Sequence, residues 1–213
     1  DVELIEEHPA RYLADANRRR RWIRGDWQIA AWARAAVPTA GGQTQRNPLD
    51  LLGRWRIFDN LRRSLVPPAF LALLLAAWLL PGVEPLVCTG LLLGIWLLPQ
   101  AVRALHASLR PPPHRPLGAH WAYVGRQQGR QLLVEAFHLC CLPYEALGAL
   151  GAIARVYWRT HISRSRRLEW QTAHDAERVA RQGASTLVWE MKACPGLALL
   201  TLAAVSAYRP GSL

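Results

Sequence analysis

Charge is nearly absent from the middle of this 213-residue chain: between residues 65 and 102 only Glu84 carries one. A run with 37 of 38 residues uncharged has almost no polar face to show to water, which argues against one water-soluble globule. Cysteine is scarce, with four scattered residues, so a disulfide-stapled secreted domain is excluded. Cys140 and Cys141 are adjacent, which does not suit a zinc site, and Cys88 and Cys194 lie in apolar runs where the thiol acts as a small hydrophobe. The seven His form no close pair at metal-ligand spacing, and His114 sits in a proline-rich linker. Neither G-x-G-x-x-G nor a P-loop is found. Acidic residues are few, 15 against 26 basic, for a net charge of +11. Low hydrophobicity is also missing: 51% of residues are hydrophobic, which rules out a disordered chain.

What is present falls into blocks. Residues 1–64 hold 12 Arg and 8 acids, and residues 103–192 hold 13 basic and 6 acidic residues. Between them, residues 65–83 are uncharged and reach roughly 28 Å as a helix, close to the hydrocarbon thickness of a bilayer. Residues 85–102 form a second such run, and Pro81, Gly82, Glu84 and Pro85 mark a tight turn between them. The expectation is a transmembrane helical hairpin, with Pro67 and Pro68 in the first turn of its first helix. Trp78 and Trp96 suit the membrane interfaces or helix packing. Arg54, Arg56, Arg62 and Arg63 precede the hairpin, Arg103, Arg110 and Arg115 follow it, and the turn has no positive charge. The positive-inside rule therefore puts both ends in the cytoplasm and the turn outside. The alternative is a buried helical hairpin in a soluble protein.

Residues 193–208 are apolar but short for a span, and are read as a candidate third transmembrane helix. Residues 132–158 are apolar but carry Glu135, His138 and Glu145. A crossing here would put Arg159, Arg164, Arg166 and Arg167 outside, against the charge rule, and carboxylates within the bilayer cost about 2.5–3.5 kcal/mol each. This stretch is expected as one or two helices broken at Pro143, interfacial or packed on the hairpin. Residues 166–192 read as an amphipathic cytoplasmic helix. Arg-rich rims of this kind attract anionic lipid headgroups. Glu169 and Asp175 are candidate acid/base groups, although carboxylates on an Arg-rich helix more often make surface pairs.

The densest feature runs from Asn17 to Gln28. On a helix Arg18, Arg21 and Trp22 fall at i, i+3 and i+4 and share one face. Arginine forks match a diphosphate, and an indole offers a flat platform for a sugar ring. That face could serve a transferase that uses a nucleotide-sugar. It could equally be a polybasic helix on anionic lipid. A nucleic-acid partner is not expected, because membrane spans follow so closely.

Arg18-x-x-Arg21-Trp22 resembles the Q-x-x-R-W motif of membrane-integrated inverting glycosyltransferases related to cellulose and hyaluronan synthases, with Arg18 in place of Gln. Longer blocks resemble cyclic β-1,2-glucan synthases. They are Asp1–Leu4 and Pro9–Tyr12 with Arg21–Gln28; Asn47–Leu49, Arg54-Trp55 and Phe58–Pro67; Leu142–Leu147; and Leu168–Ala173 with Asp175–Glu177. The resemblance implies UDP-glucose as donor, a divalent metal (Mg or Mn) bound by residues outside this chain, and a growing β-1,2-glucan as acceptor. It implies the inner membrane of a Gram-negative bacterium, with the Arg-rich segments cytoplasmic. By motif match Arg21 would contact the donor diphosphate and Trp22 the acceptor sugar, with Arg18 assisting. Asp26 and Trp27 would belong to the same substrate-binding surface. The family's metal-binding Asp residues and general base would lie before residue 1, so no catalytic residue is expected in this chain.

The expected fold is mainly α, a helical integral membrane protein fragment whose transmembrane hairpin is flanked by cytoplasmic interfacial helices. Residues 1–45 would be the C-terminal rim of a glycosyltransferase catalytic domain and 46–64 a cytoplasmic juxtamembrane segment. Residues 65–102 would be the hairpin, 103–192 a cytoplasmic or interfacial helical segment, and 193–208 the candidate third span. Asp1 without a basic leader, and an end just after an apolar run, lead to the expectation of an internal piece of a longer polypeptide. The expected partners are a bilayer with anionic lipids, the glucan acceptor and the rest of that polypeptide. A non-enzymatic membrane scaffold is the rival reading. A transporter fragment would show inverted repeats, and no internal repeat is seen.

Overall fold

A computed structural model describes residues 11–39, 41–112, 114, 116–163 and 189–208. Helix α1 (Tyr12–Gln28) leads through a 3₁₀ turn at Ala30–Ala33 into a short antiparallel hairpin, β1 (Ala36–Pro38) and β2 (Thr44–Arg46). Helices α2 (Leu51–Leu79), α3 (Pro85–Leu109) and α4 (Leu117–Tyr157) follow, and α4 runs on through a π-helical turn at Trp158–Ile162. The last described element is α5 (Ala193–Tyr208). Among the described residues, four helices are long and apolar enough to cross a membrane by length and composition: Leu51–Leu79, Pro85–Leu109, Leu117–Ile162 and Trp189–Tyr208. The mainly α, membrane-type fold expected from the sequence is thus what the chain adopts.

The described residues divide into two compact units, one within Asp1–Ala69 and Tyr144–Pro195, the other within Phe70–Pro143 and Gly196–Leu213. The first is organised around α1, whose Leu13, Ala14 and Ala16 form a small core with Tyr144 of α4, flanked by Tyr12, Met191 and Cys194. The β-hairpin closes at Gly42, whose φ of 77° a side chain would strain, and buries Val37 completely. Asn47 fastens the 3₁₀ turn to the segment that leads into α2. Its Nδ2 donates to the Trp32 and Arg34 carbonyls at 2.7 and 2.8 Å, and its Oδ1 accepts from the Leu49 N–H at 2.9 Å. Asp50 then caps α2, its Oδ1 accepting from the Gly53 N–H at 2.7 Å.

The second unit is the apolar one. Leu86, Leu91, Ile95, Leu98 and Val102 of α3 are all more than half exposed, a dry surface that fits lipid rather than water. At the turn between α2 and α3, Gly82 takes φ 77°. Trp78 donates from Nε1 to Thr89 Oγ1 at 3.0 Å across it, so this indole is tied to the partner helix of the hairpin. Phe70 packs edge-on against Trp96, centroids 5.0 Å apart. Glu135 of α4 accepts from Trp96 Nε1 at 2.9 Å, from Gln131 Nε2 at 3.3 Å and from Gln100 Nε2.

Two expectations change, and the strand pair is an addition to them. Pro67 and Pro68 are not in a first turn; α2 begins at Leu51, where the Asp50 cap and the Asp59–Arg62 and Asp59–Arg63 pairs already favour helix. The sequence reading breaks 132–158 at Pro143, whereas α4 passes through it. An interior proline removes one backbone bond, but breaking the helix there would free several more and disturb the buried Leu142 and Tyr144 on either side of it. The strand pair had no counterpart in the reading. The amphipathic helix expected over 166–192 lies largely outside the described residues, which resume at residue 189.

Candidate functional site

The Arg-rich segment is helical, as its spacing requires, and α1 sorts its side chains by face. At 100° per residue Arg18, Arg21 and Trp22 fall together, Arg20 falls opposite them and Arg19 at the flank, where it also pairs with Asp15 at 3.4 Å. On the first face the Arg18 guanidinium lies over the Trp22 ring, 4.7 Å from its centroid, and also bonds Asp15 Oδ1 at 3.1 Å. The cation therefore backs one face of the indole. Trp22 remains 56% exposed, so enough of its surface is uncovered for a flat apolar ligand face to stack on. Arg21 is half-buried on the same side.

The opposite face is occupied within the unit. Arg19 Nη2 donates to Glu145 Oε1 at 2.9 Å, and the Tyr12 hydroxyl donates to the same oxygen at 3.0 Å. Arg20 stacks over the Tyr144 ring at 4.3 Å and lies 3.9 Å from Glu190 Oε2. The Tyr144 hydroxyl donates to that Glu190 oxygen at 2.6 Å.

Asp26 and Trp27, which the sequence reading groups with the substrate-binding surface, make hydrogen bonds to α2. Asp26 Oδ1 accepts from Asn60 Nδ2 at 3.2 Å, and Trp27 Nε1 donates to Ser64 Oγ at 2.9 Å. Both tie the end of α1 to the first half of α2. The structure thus brings Arg18 and Trp22 into contact, sets Arg21 beside them, and turns Asp26 and Trp27 to α2. Tyr144, Glu145 and Glu190 are residues that sequence reasoning did not assign to the site. The only available signal was that Tyr144 and Glu145 fall inside one of the resembling blocks. Glu169 and Asp175 lie outside the described residues. Among the described residues, no group of three or more His, Cys, Asp or Glu side chains gathers to hold a metal ion.

Fold and motif together define a helical membrane protein that presents a cation-backed indole on an Arg-rich helix. Over 204 residues, 95% of its length, the chain is 31% identical to the cyclic beta-(1,2)-glucan synthase NdvB of Rhizobium meliloti (strain 1021). The resemblance read from the ordered blocks therefore extends along nearly the whole chain. The chain spans 7% of the length of that relative. No family model matches it.

Proposed function

We propose that this chain is part of a membrane glucosyltransferase that moves glucose from UDP-glucose to a growing β-1,2-glucan. The observation that carries the reading is the 31% identity to a cyclic glucan synthase, held over 95% of the chain. In the proposed reaction an acceptor hydroxyl oxygen bonds to the glucose anomeric carbon as the bond from that carbon to the diphosphate oxygen breaks. Arg21 grips the diphosphate and offsets the charge that grows on it as UDP leaves. Trp22 stacks the acceptor sugar. Arg18 holds the indole in place by its stacking contact and reinforces the positive field at the diphosphate. The divalent metal and the base that takes the acceptor proton belong to other parts of the polypeptide. The Arg-rich segments are cytoplasmic, where the nucleotide-sugar is made available, and the membrane is the bacterial inner membrane.

The scaffold reading, in which Arg18–Arg24 only touch anionic lipid, is less well supported. A lipid-facing patch needs free cations, and Arg19 and Arg20 are engaged by Glu145, Glu190 and Tyr144. The decisive experiment places Trp22→Ala in the full-length polypeptide. Polymer synthesis from UDP-glucose is lost while membrane insertion is unchanged; wild-type glucan output would defeat the assignment.

A further inference from the structure

The face of α1 that makes no proposed substrate contact is held by a specific lock. Three features of α4 make it up. Glu145 takes two donors on one oxygen, Tyr12 Oη and Arg19 Nη2, at 3.0 and 2.9 Å. These residues are seven apart on α1, two turns along one face, so the carboxylate grips the helix at two levels. Tyr144 supplies an aromatic seat for Arg20 and passes its own hydroxyl to Glu190. Gly148 leaves room for that seat: a Cβ there would meet Arg20 Nε at 2.5 Å and Nη2 at 2.8 Å. Even alanine would push the guanidinium away from Tyr144 and Glu190.

Side chains on opposite faces of one rigid helix cannot be aimed independently. Turning α1 by one residue, 100°, would replace Trp22 by a neighbour at the outward position. We propose that Glu145, with Tyr144 and Gly148, is a positioning element for the transferase. It fixes the rotation of α1 and so aims Arg18, Arg21 and Trp22 at donor and acceptor. This rests on the function proposed above. Glu145 touches neither sugar nor diphosphate; it acts through Arg19 and Tyr12.

The test uses the full-length polypeptide in native membranes, with variants compared at equal inserted amounts. Initial rates of glucan synthesis against UDP-glucose give kcat and KM. Glu145→Ala is expected to lower kcat/KM by about ten-fold or more, since small misplacement of binding groups is that costly. Glu145→Gln keeps an acceptor oxygen in place and recovers activity to within about three-fold of wild type. In an Arg21→Lys background, Glu145→Ala costs less than about three-fold further, because the group it aims is already impaired. Fully additive losses, or wild-type kinetics in Glu145→Ala, overturn the proposal.

A second readout does not depend on the reaction. Limited trypsin digestion cuts at arginines 18–24 when α1 is unlocked. Faster cleavage in Glu145→Ala and Gly148→Ala than in wild type and Glu145→Gln supports the lock, and equal cleavage in all four overturns it. Should the wild-type polypeptide make no glucan from UDP-glucose, the functional reading fails, and the lock itself still stands or falls on this digestion.

Discussion

At the scale of single residues, four consecutive arginines of one type end up with separate tasks. Arg18 stacks on Trp22, Arg19 bonds Glu145, Arg20 stacks on Tyr144, and Arg21 shares the Trp22 side of the helix. Helical geometry alone separates 18, 21 and 22 from 19 and 20, and this much was legible in the sequence. The partners of Arg19 and Arg20 were not, because Glu145 lies 126 residues from Arg19 and no local pattern links them. The proposed division of labour makes Arg21→Lys informative. It keeps the charge but loses the planar fork, so glucan synthesis should fall by about ten-fold or more while binding to anionic vesicles is unchanged. Unchanged synthesis would mean that Arg21 acts as a plain charge and does not grip a diphosphate.

At the scale of elements, the α3–α4 contact turns on one carboxylate. Glu135 is one of the carboxylates whose cost argues against a crossing at 132–158. The structure gives it three donors, from Trp96, Gln100 and Gln131, and that satisfaction is what lets a carboxylate sit on a long apolar helix. Glu135→Ala leaves the buried Gln100 amide without this acceptor, and should cost about 1–3 kcal/mol of stability. Glu135→Gln keeps an acceptor and should cost less. Thermal unfolding of the detergent-solubilised full-length polypeptide measures both, and equal midpoints for wild type and Glu135→Ala would show that the cluster contributes nothing. The continuity of α4 through Pro143 belongs to this scale too. A proline is a strong local signal for a break, yet its effect depends on what the surrounding helix would lose by breaking.

For the whole molecule, the charge pattern makes a testable prediction for the path of the chain across the bilayer. Among the described residues, length and composition allow four helices to cross. Charge placement favours both ends of the α2–α3 hairpin in the cytoplasm, with Arg159 on the same side. Single cysteines in an otherwise Cys-free full-length polypeptide test this with a membrane-impermeant thiol reagent. Glu84→Cys in the turn should label from outside, and Ser163→Cys should label only after the membrane is opened. Labelling of Ser163→Cys in sealed cells would mean that α4 crosses and that the charge rule is overridden in this segment.

Hydropathy, helical period and the order of short motifs are properties of neighbouring residues, so the sequence alone determined the helical membrane character, the shared face of Arg18, Arg21 and Trp22, and the likeness to a glucan synthase. The three-dimensional fold alone decided that Asp26 and Trp27 bond to α2, that Glu145 and Tyr144 contact α1, and that Glu135 accepts from Trp96 and Gln100 of α3. Each of those outcomes joins groups dozens of residues apart, and which buried donor meets which acceptor is set by how helices pack, a choice that no short window of residues contains.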